Sequence, residues 1–131
     1  MESIKQNIEY IQKSILNNTH REQGAIIALI ISETITAIKE ATFSYDVPCV
    51  PNKANAHFAV ITNKVKQAKS SLISDLQELE GCLKRNNTKR SLNIIQKMLD
   101  NNLYMNDVKR VIDNWKGLSR SEVTKKTLRV I

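Results

Sequence analysis

Glycine and proline are scarce in this chain, with three of the first and two of the second in 131 residues. Sandwiches and barrels need many turn residues, so the scarcity argues against them and for long helices with few connections. Cysteine is nearly as rare. Cys49 and Cys82 are not spaced as a CxxC pair, and two thiols alone do not complete a four-ligand zinc site. They read as reduced thiols, with a single disulfide as the alternative. No run approaches the roughly 18 apolar residues that span a bilayer. The most apolar stretch, 25–31, ends at Ser32 and Glu33. The opening Met-Glu-Ser-Ile-Lys lacks the basic patch and apolar run of a signal peptide. The expectation is a cytoplasmic protein without membrane contact.

Residues that carry chemistry are also few. The imidazoles are His20 and His57, and both read as capping or surface groups. There is no Gly-rich phosphate loop, no HExxH and no nucleophile elbow. Asp75, Glu78 and Glu80 stand at helical spacing near lysines, as a solvated face does. These absences lead us to expect no catalytic residues, no metal and no cofactor.

What is present is helical periodicity over a single domain, 1–131. Ile4, Ile8, Ile11 and Ile15 share one face of a helix over 3–17. Thr19-His20-Arg21-Glu22 reads as a capping box opening a helix over 20–42. Ile27, Ile31, Ile35 and Ile38 mark its face, and Ile26, Leu29 and Ile30 widen it, which suggests a central helix. Residues 43–52 contain Pro48 and Pro51 and read as a long extended connection. A third helix over 53–85 carries a seam of Phe58, Ile61, Val65, Ala68, Leu72, Leu76, Leu79 and Leu83. A fourth, over 88–101, turns Leu92, Ile95, Met98 and Leu99 inward. A fifth starts at Asn106 and ends before Gly117, burying Val108, Val111, Ile112 and Trp115. Ser119-Arg120-Ser121-Glu122 reads as a second capping box, opening a short sixth helix with Val123 and Leu128. The expected fold is all-α: a five- or six-helix bundle, with long antiparallel helices one to three and a smaller C-terminal helical part.

Charge is unevenly placed. Residues 1–50 hold four Lys/Arg against six acids, a balance of −2, whereas residues 51–131 hold sixteen against seven, +9. A basic half suits a polyanionic partner. Lys84, Arg85, Lys89 and Arg90 surround one turn, and Arg120, Lys125, Lys126 and Arg129 lie near the end. After residue 58 the aromatics are Tyr104 and Trp115, so a duplex backbone is a better candidate than stacked, unpaired bases.

Residues 117–123, Gly-Leu-Ser-Arg-Ser-Glu-Val, resemble the turn and recognition-helix start of helix-turn-helix DNA binders. Gly117 would fill the turn, Leu118 the apolar place after it, Ser119 the N-cap and Val123 the buried position. The resemblance implies that Arg120, Ser121, Thr124 and Lys125 face the major groove. Asp113, Lys116 and Lys126 depart from the pattern, and a plain helical corner would meet most of the same positions. Two readings therefore stand. One is a nucleic-acid-binding regulator or accessory factor, binding through Lys84, Arg85, Lys89, Arg90, Arg120, Ser121, Thr124, Lys125, Lys126 and Arg129. The other is an adaptor, chaperone or inhibitor that docks on a protein through apolar helix faces, homodimerisation included.

Overall fold

The computed structural model describes the backbone of residues 2–48, 54–118 and 123–129, and the side chains of residues 3–42 and 58–114. Its helices are α1 (Glu2–Leu16), α2 (Gly24–Glu40), α3 (Ala54–Lys84), α4 (Thr88–Lys97) and α5 (Asn106–Leu118). A π-helical turn over Met98–Asn102 continues α4. Two strands, β1 (Thr42–Pro48) and β2 (Val123–Arg129), pair antiparallel. The chain is thus mainly helical, but not the expected bundle of five or six helices. Four helices, α1 to α4, share the main core, and α5 packs separately.

The 31 residues of α3 make a spine about 46 Å long at 1.5 Å per residue. Helices α2 and α4 run antiparallel to it on either side. Lys69 of α3 reaches Ala41 just past the end of α2, while Arg90, Lys97 and Asn102 reach Glu78, Asp75 and Ser71 in descending order. Leu72, Leu76 and Leu79 join Ile8, Ile11, Ile31, Ile38, Ile95 and Met98 in one core. Nearer the start of α3, Ile61 and Val65 pack with Met105 and Val108 as a second cluster. Most of the seam read from the sequence is therefore spent on the chain's own core, while Phe58 at its start is exposed.

Helix ends follow the asparagines. Asn18 and Asn86 take positive φ, 57° in both cases. In each, the following amide reaches back to the residue four before the asparagine: Thr19 to Ser14 and Asn87 to Cys82, both at 2.9 Å. This is the Schellman closure, for which Asn is the next choice after Gly. The capping box at Thr19–Glu22 does not form. The α2 helix starts at Gly24 with Gln23 before it and no side-chain cap, and the Thr19 hydroxyl donates back to the Ser14 carbonyl. Gln23 instead ties α2 to α1, its Oε1 accepting from the Tyr10 hydroxyl at 3.0 Å.

The expected sixth helix is also corrected. Residues 123–129 form β2, with Val123 opposite Pro48 and Arg129 opposite Thr42. Val, Thr and Leu at these positions suit a strand, and the proline-bearing segment 42–48 offers an extended partner. The second capping box lies outside the described residues. The connection read over 43–52 is extended as expected, but its first part is a paired strand, and 49–53 lie outside the described residues.

Lys69, like Asp75, is a buried charged residue, 5% exposed. Its Nζ donates to the Ala41 carbonyl at 2.7 Å and to that of Lys39 at 3.3 Å, closing the C-terminus of α2. Burial lowers its pKa from the ordinary lysine value of 10.5. Because the unfolded chain keeps its proton to higher pH, Lys69 adds stability as pH rises through the window below 10.5. Lys69→Met should lose about 1–3 kcal/mol in urea unfolding at neutral pH. The gap to wild type should widen as pH approaches that value. Asn86→Gly should hold or raise the thermal midpoint, whereas Asn86→Val, forced into the left-handed region, should lose about 1–2 kcal/mol.

Candidate functional site

The turn α1–α2 and the turn α3–α4 lie at the same end of the bundle. Residues 24–31 of α2 and 80–84 of α3 face one another there across a cavity of about 450 Å³. That size is ordinary for a small-ligand pocket. Ile27, Ile31 and Leu83 supply apolar wall; Gly24 and Ala28 keep one side low. His20, Arg21, Glu80, Lys84 and Asn86 complete the lining.

The sequence reading placed His20 at the surface. It is buried, 6% exposed, and its Nδ1 has no hydrogen-bond partner. The Schellman turn at Asn18 folds the chain back, so that His20 lies under the start of α2 instead of at an open helix end. A buried polar atom left unpaired costs about 1–3 kcal/mol. Such an atom asks for an explanation. Gly24 is equally informative: a Cβ built there meets nothing within 4 Å. Neither residue stood out in the sequence, because the pattern 19–22 had a simpler reading as a helix cap.

The outer face of α2 is open as well. Ile26 is 52% exposed and Leu29 60%, and they stand three apart on one side of the helix. Leu16, at the end of α1, is also exposed. The expectation of a central α2 fails because α1 and α3 both approach from the side of Ile27, Ile31, Thr34 and Ile38. Thr34 takes a buried position that an isoleucine was expected to hold. Its hydroxyl donates to the Ile30 carbonyl and accepts from Asn7.

The basic residues singled out from the sequence fall into two groups that the fold does not bring together. Lys84, Arg85, Lys89 and Arg90 surround the α3–α4 turn. Thr124, Lys125, Lys126 and Arg129 are on β2, opposite Val47, Asp46, Tyr45 and Thr42. The ribbon touches α5 and α3 through β1, and α5 packs by Ile61 and Val65, toward the other end of the spine. Arg120 and Ser121 lie outside the described residues. So does most of the helix-turn-helix corner. Gly117 and Leu118 continue α5 where a turn was expected, and Val123 opens a strand where a recognition helix was expected.

Around the α3–α4 turn, acids of α3 take up half of the positive charge. Lys84 Nζ lies 3.3 Å from Glu80 Oε1. The Arg90 guanidinium grips Glu78 through Nε at 2.9 Å and through Nη2. That hydrogen bond, then the Glu78 charge, raises the Arg90 pKa further. Arg85 folds back over Gly81, its Nη2 3.6 Å from the buried Cys82 thiol. Lys89 makes none of these contacts and is exposed.

Among the described residues no group of three or more His, Cys, Asp or Glu could hold a metal ion. No helix among them is long and apolar enough to cross a membrane. A scan against protein-family models, a search of curated proteins and a search of solved structures each return no match.

The neutralisation around the turn is testable without knowing a partner. Glu78→Gln with Glu80→Gln should release Arg90 and Lys84, and the variant should elute from heparin at higher salt than wild type. Equal elution would mean that the two carboxylates do not restrain the patch.

Proposed function

We propose that this chain is a non-enzymatic binding protein that docks a protein partner through the outer face of α2. The carrying observation is the pair Ile26 and Leu29, both more than half exposed on a helix otherwise rich in isoleucine. Two large aliphatic side chains three apart are the anchors that a helix offers to an apolar groove, or accepts from another helix. Leu16 adds exposed apolar surface at the same end of the bundle. Ser32, Glu33 and Thr36 carry the exposed side of α2 onward as a polar rim.

A second reading, contact with a nucleic-acid backbone, draws on the formal charge of +7 and on Arg85 and Lys89, which no carboxylate neutralises. It is the weaker one, because Glu78 and Glu80 already hold Arg90 and Lys84 and the ribbon cations stand apart from this turn.

Ile26→Lys with Leu29→Lys separates the two. Light scattering shows first whether the partner is a second copy. If wild type forms a dimer, or retains a protein through washing at high salt, the double variant should lose that association while keeping its helical circular dichroism. The docking reading fails if no association exists, or if the double variant keeps it. Duplex binding that weakens steeply between low and moderate salt, unchanged by the double variant, would install the second reading instead.

A further inference from the structure

We infer that the outer face of α2, on the docking reading above, takes a basic amphipathic helix of another protein: its apolar side against Ile26 and Leu29, its lysines or arginines against Glu22, Glu33 and Glu40.

The face is a single row. Ile26, Leu29, Glu33, Thr36 and Glu40 follow one another along α2 at steps of three and four, and Glu22 stands four before Ile26 in the turn that enters the helix. All six are exposed. Two large aliphatic side chains thus lie between acids, and no cation interrupts the row. The exposed cations nearby stand to one side of it. Arg21 lines the cavity toward α3, and Lys39 falls in the next row with Ala28, which lines that cavity as well.

These carboxylates also lack what the other acids have. Glu9, Glu78, Glu80 and Asp107 each pair with a Lys or Arg, and Lys97 reaches Asp75. Glu22, Glu33 and Glu40 have no ion pair among the described residues, a condition that they share with Asp113 of α5. None of the three has a Lys or Arg three or four positions away in the chain, so the helix itself offers them no partner. Glu40 moreover stands in the last turn of α2, where a negative charge opposes the helix dipole. Three unanswered carboxylates around an apolar pair are complementary to a helix with lysines or arginines beside its apolar face. The stems of those side chains would cover the edges of Ile26 and Leu29 while the heads reach the acids.

The same row disfavours a second copy of this chain. A two-fold antiparallel pairing that set Ile26 against Leu29 of the other copy would also set Glu22 against Glu33. A parallel pairing would set each acid against itself. Like charges face one another in both. The chain's formal charge of +7 does not prevent basic docking, because the screening length at physiological salt is about 8 Å and a docked cation responds to the carboxylates it touches.

The test uses the full chain and labelled helical peptides of about 18 residues, long enough at 1.5 Å per residue to lie along the row, read by fluorescence anisotropy. The basic probe has leucines on one face and lysines elsewhere. The acidic probe has glutamates for its lysines, and the polar probe has serines for its leucines. The basic probe should bind at least tenfold more tightly than either of the others, and added salt should weaken it without abolishing binding. Glu33→Gln with Glu40→Gln should weaken it at least tenfold while holding or raising the thermal midpoint. Glu33→Lys with Glu40→Lys should reverse the preference toward the acidic probe, which a loss of folding would not do. Ile26→Ser with Leu29→Ser, which leaves the charge unchanged, should weaken the basic probe as well. The proposal is overturned if the basic probe does not bind at high micromolar concentration, if the acidic or polar probe matches it, or if the charge-reversed or serine variant binds as wild type does. Equal binding of basic and acidic probes, lost together in the serine variant, would overturn the basic partner and leave docking on α2 standing. So would a dimer that the serine variant breaks.

Discussion

The aliphatic stripe of α3 is the one element that contributes to both hydrophobic cores of the described residues. Each fully buried Leu, Ile or Val along it contributes about 1.5–3 kcal/mol. The stripe divides its work. Leu72, Leu76 and Leu79 serve α1, α2 and α4, while Ile61 and Val65 serve α5. Between the two cores the stripe is flanked by polar residues that hold the neighbours in register. Lys69 closes α2 on one flank. On the other, Asn102 donates to Ser71 Oγ at 2.8 Å and to Asp75 Oδ2 at 3.2 Å. The π-turn sits at this same level. An extra residue in the turn rotates the chain, so that α4 and α5 can each present an apolar face to one straight spine.

Much of this was legible in the residues because helical periodicity is a local signal. Ile4, Ile8, Ile11 and Ile15 are all buried on one face, and the breaks at Asn17–Asn18 and Asn86–Asn87 are where α1 and α3 end. Signals that depend on a neighbour misled. Thr19–Glu22 has the composition of a capping box, but the Schellman closure at Asn18 engages the Thr19 amide first. Val123–Arg129 has residues that suit a strand, but only pairing with 42–48 gives that strand a partner. No pattern within 15 residues of either segment could reveal that pairing, because the strands are some 80 positions apart. The breadth of apolar residues around α2 was legible too. The inference that breadth means a central position was not sound, because two neighbours on one side suffice to bury Ile27, Ile31 and Ile38 and leave Ile26 and Leu29 outside.

Charge counting is incomplete for a related reason. A balance of +9 over residues 51–131 says how many cations there are and nothing about which are already engaged. In an antiparallel pair the end of one helix faces the start of the next. Cations near the α3–α4 turn therefore meet acids of α3 one to three turns back. Glu78 is twelve residues from Arg90 in sequence but adjacent in space. The four-residue spacing of Glu80 and Lys84, which does appear in the sequence, describes a pair on one helix. The spacing of Glu78 and Arg90 matters only once α3 and α4 are folded against each other.

The same geometry sets the two inter-helix turns side by side at one end of the bundle. Antiparallel packing brings the α1–α2 turn beside the α3–α4 turn, and both turns close with an asparagine in the left-handed region. A Schellman closure satisfies the carbonyls of the helix it ends and does nothing for the amides of the helix that follows. For α4 the Asn87 side chain supplies the missing acceptor, taking the Arg90 amide at 3.3 Å. For α2 no described side chain does so, because Gln23 is committed to α1 and Gly24 has no side chain to offer. Two turns of the same construction thus differ in one respect, the presence of a cap. The uncapped one also has a buried imidazole with a free nitrogen and an apolar hollow beside it. A helix start that needed only stability could be capped at little expense by Ser or Asp at position 23. The uncapped start and the unpaired His20 Nδ1 are two local costs to stability at the α1–α2 turn, whereas the α3–α4 turn is capped.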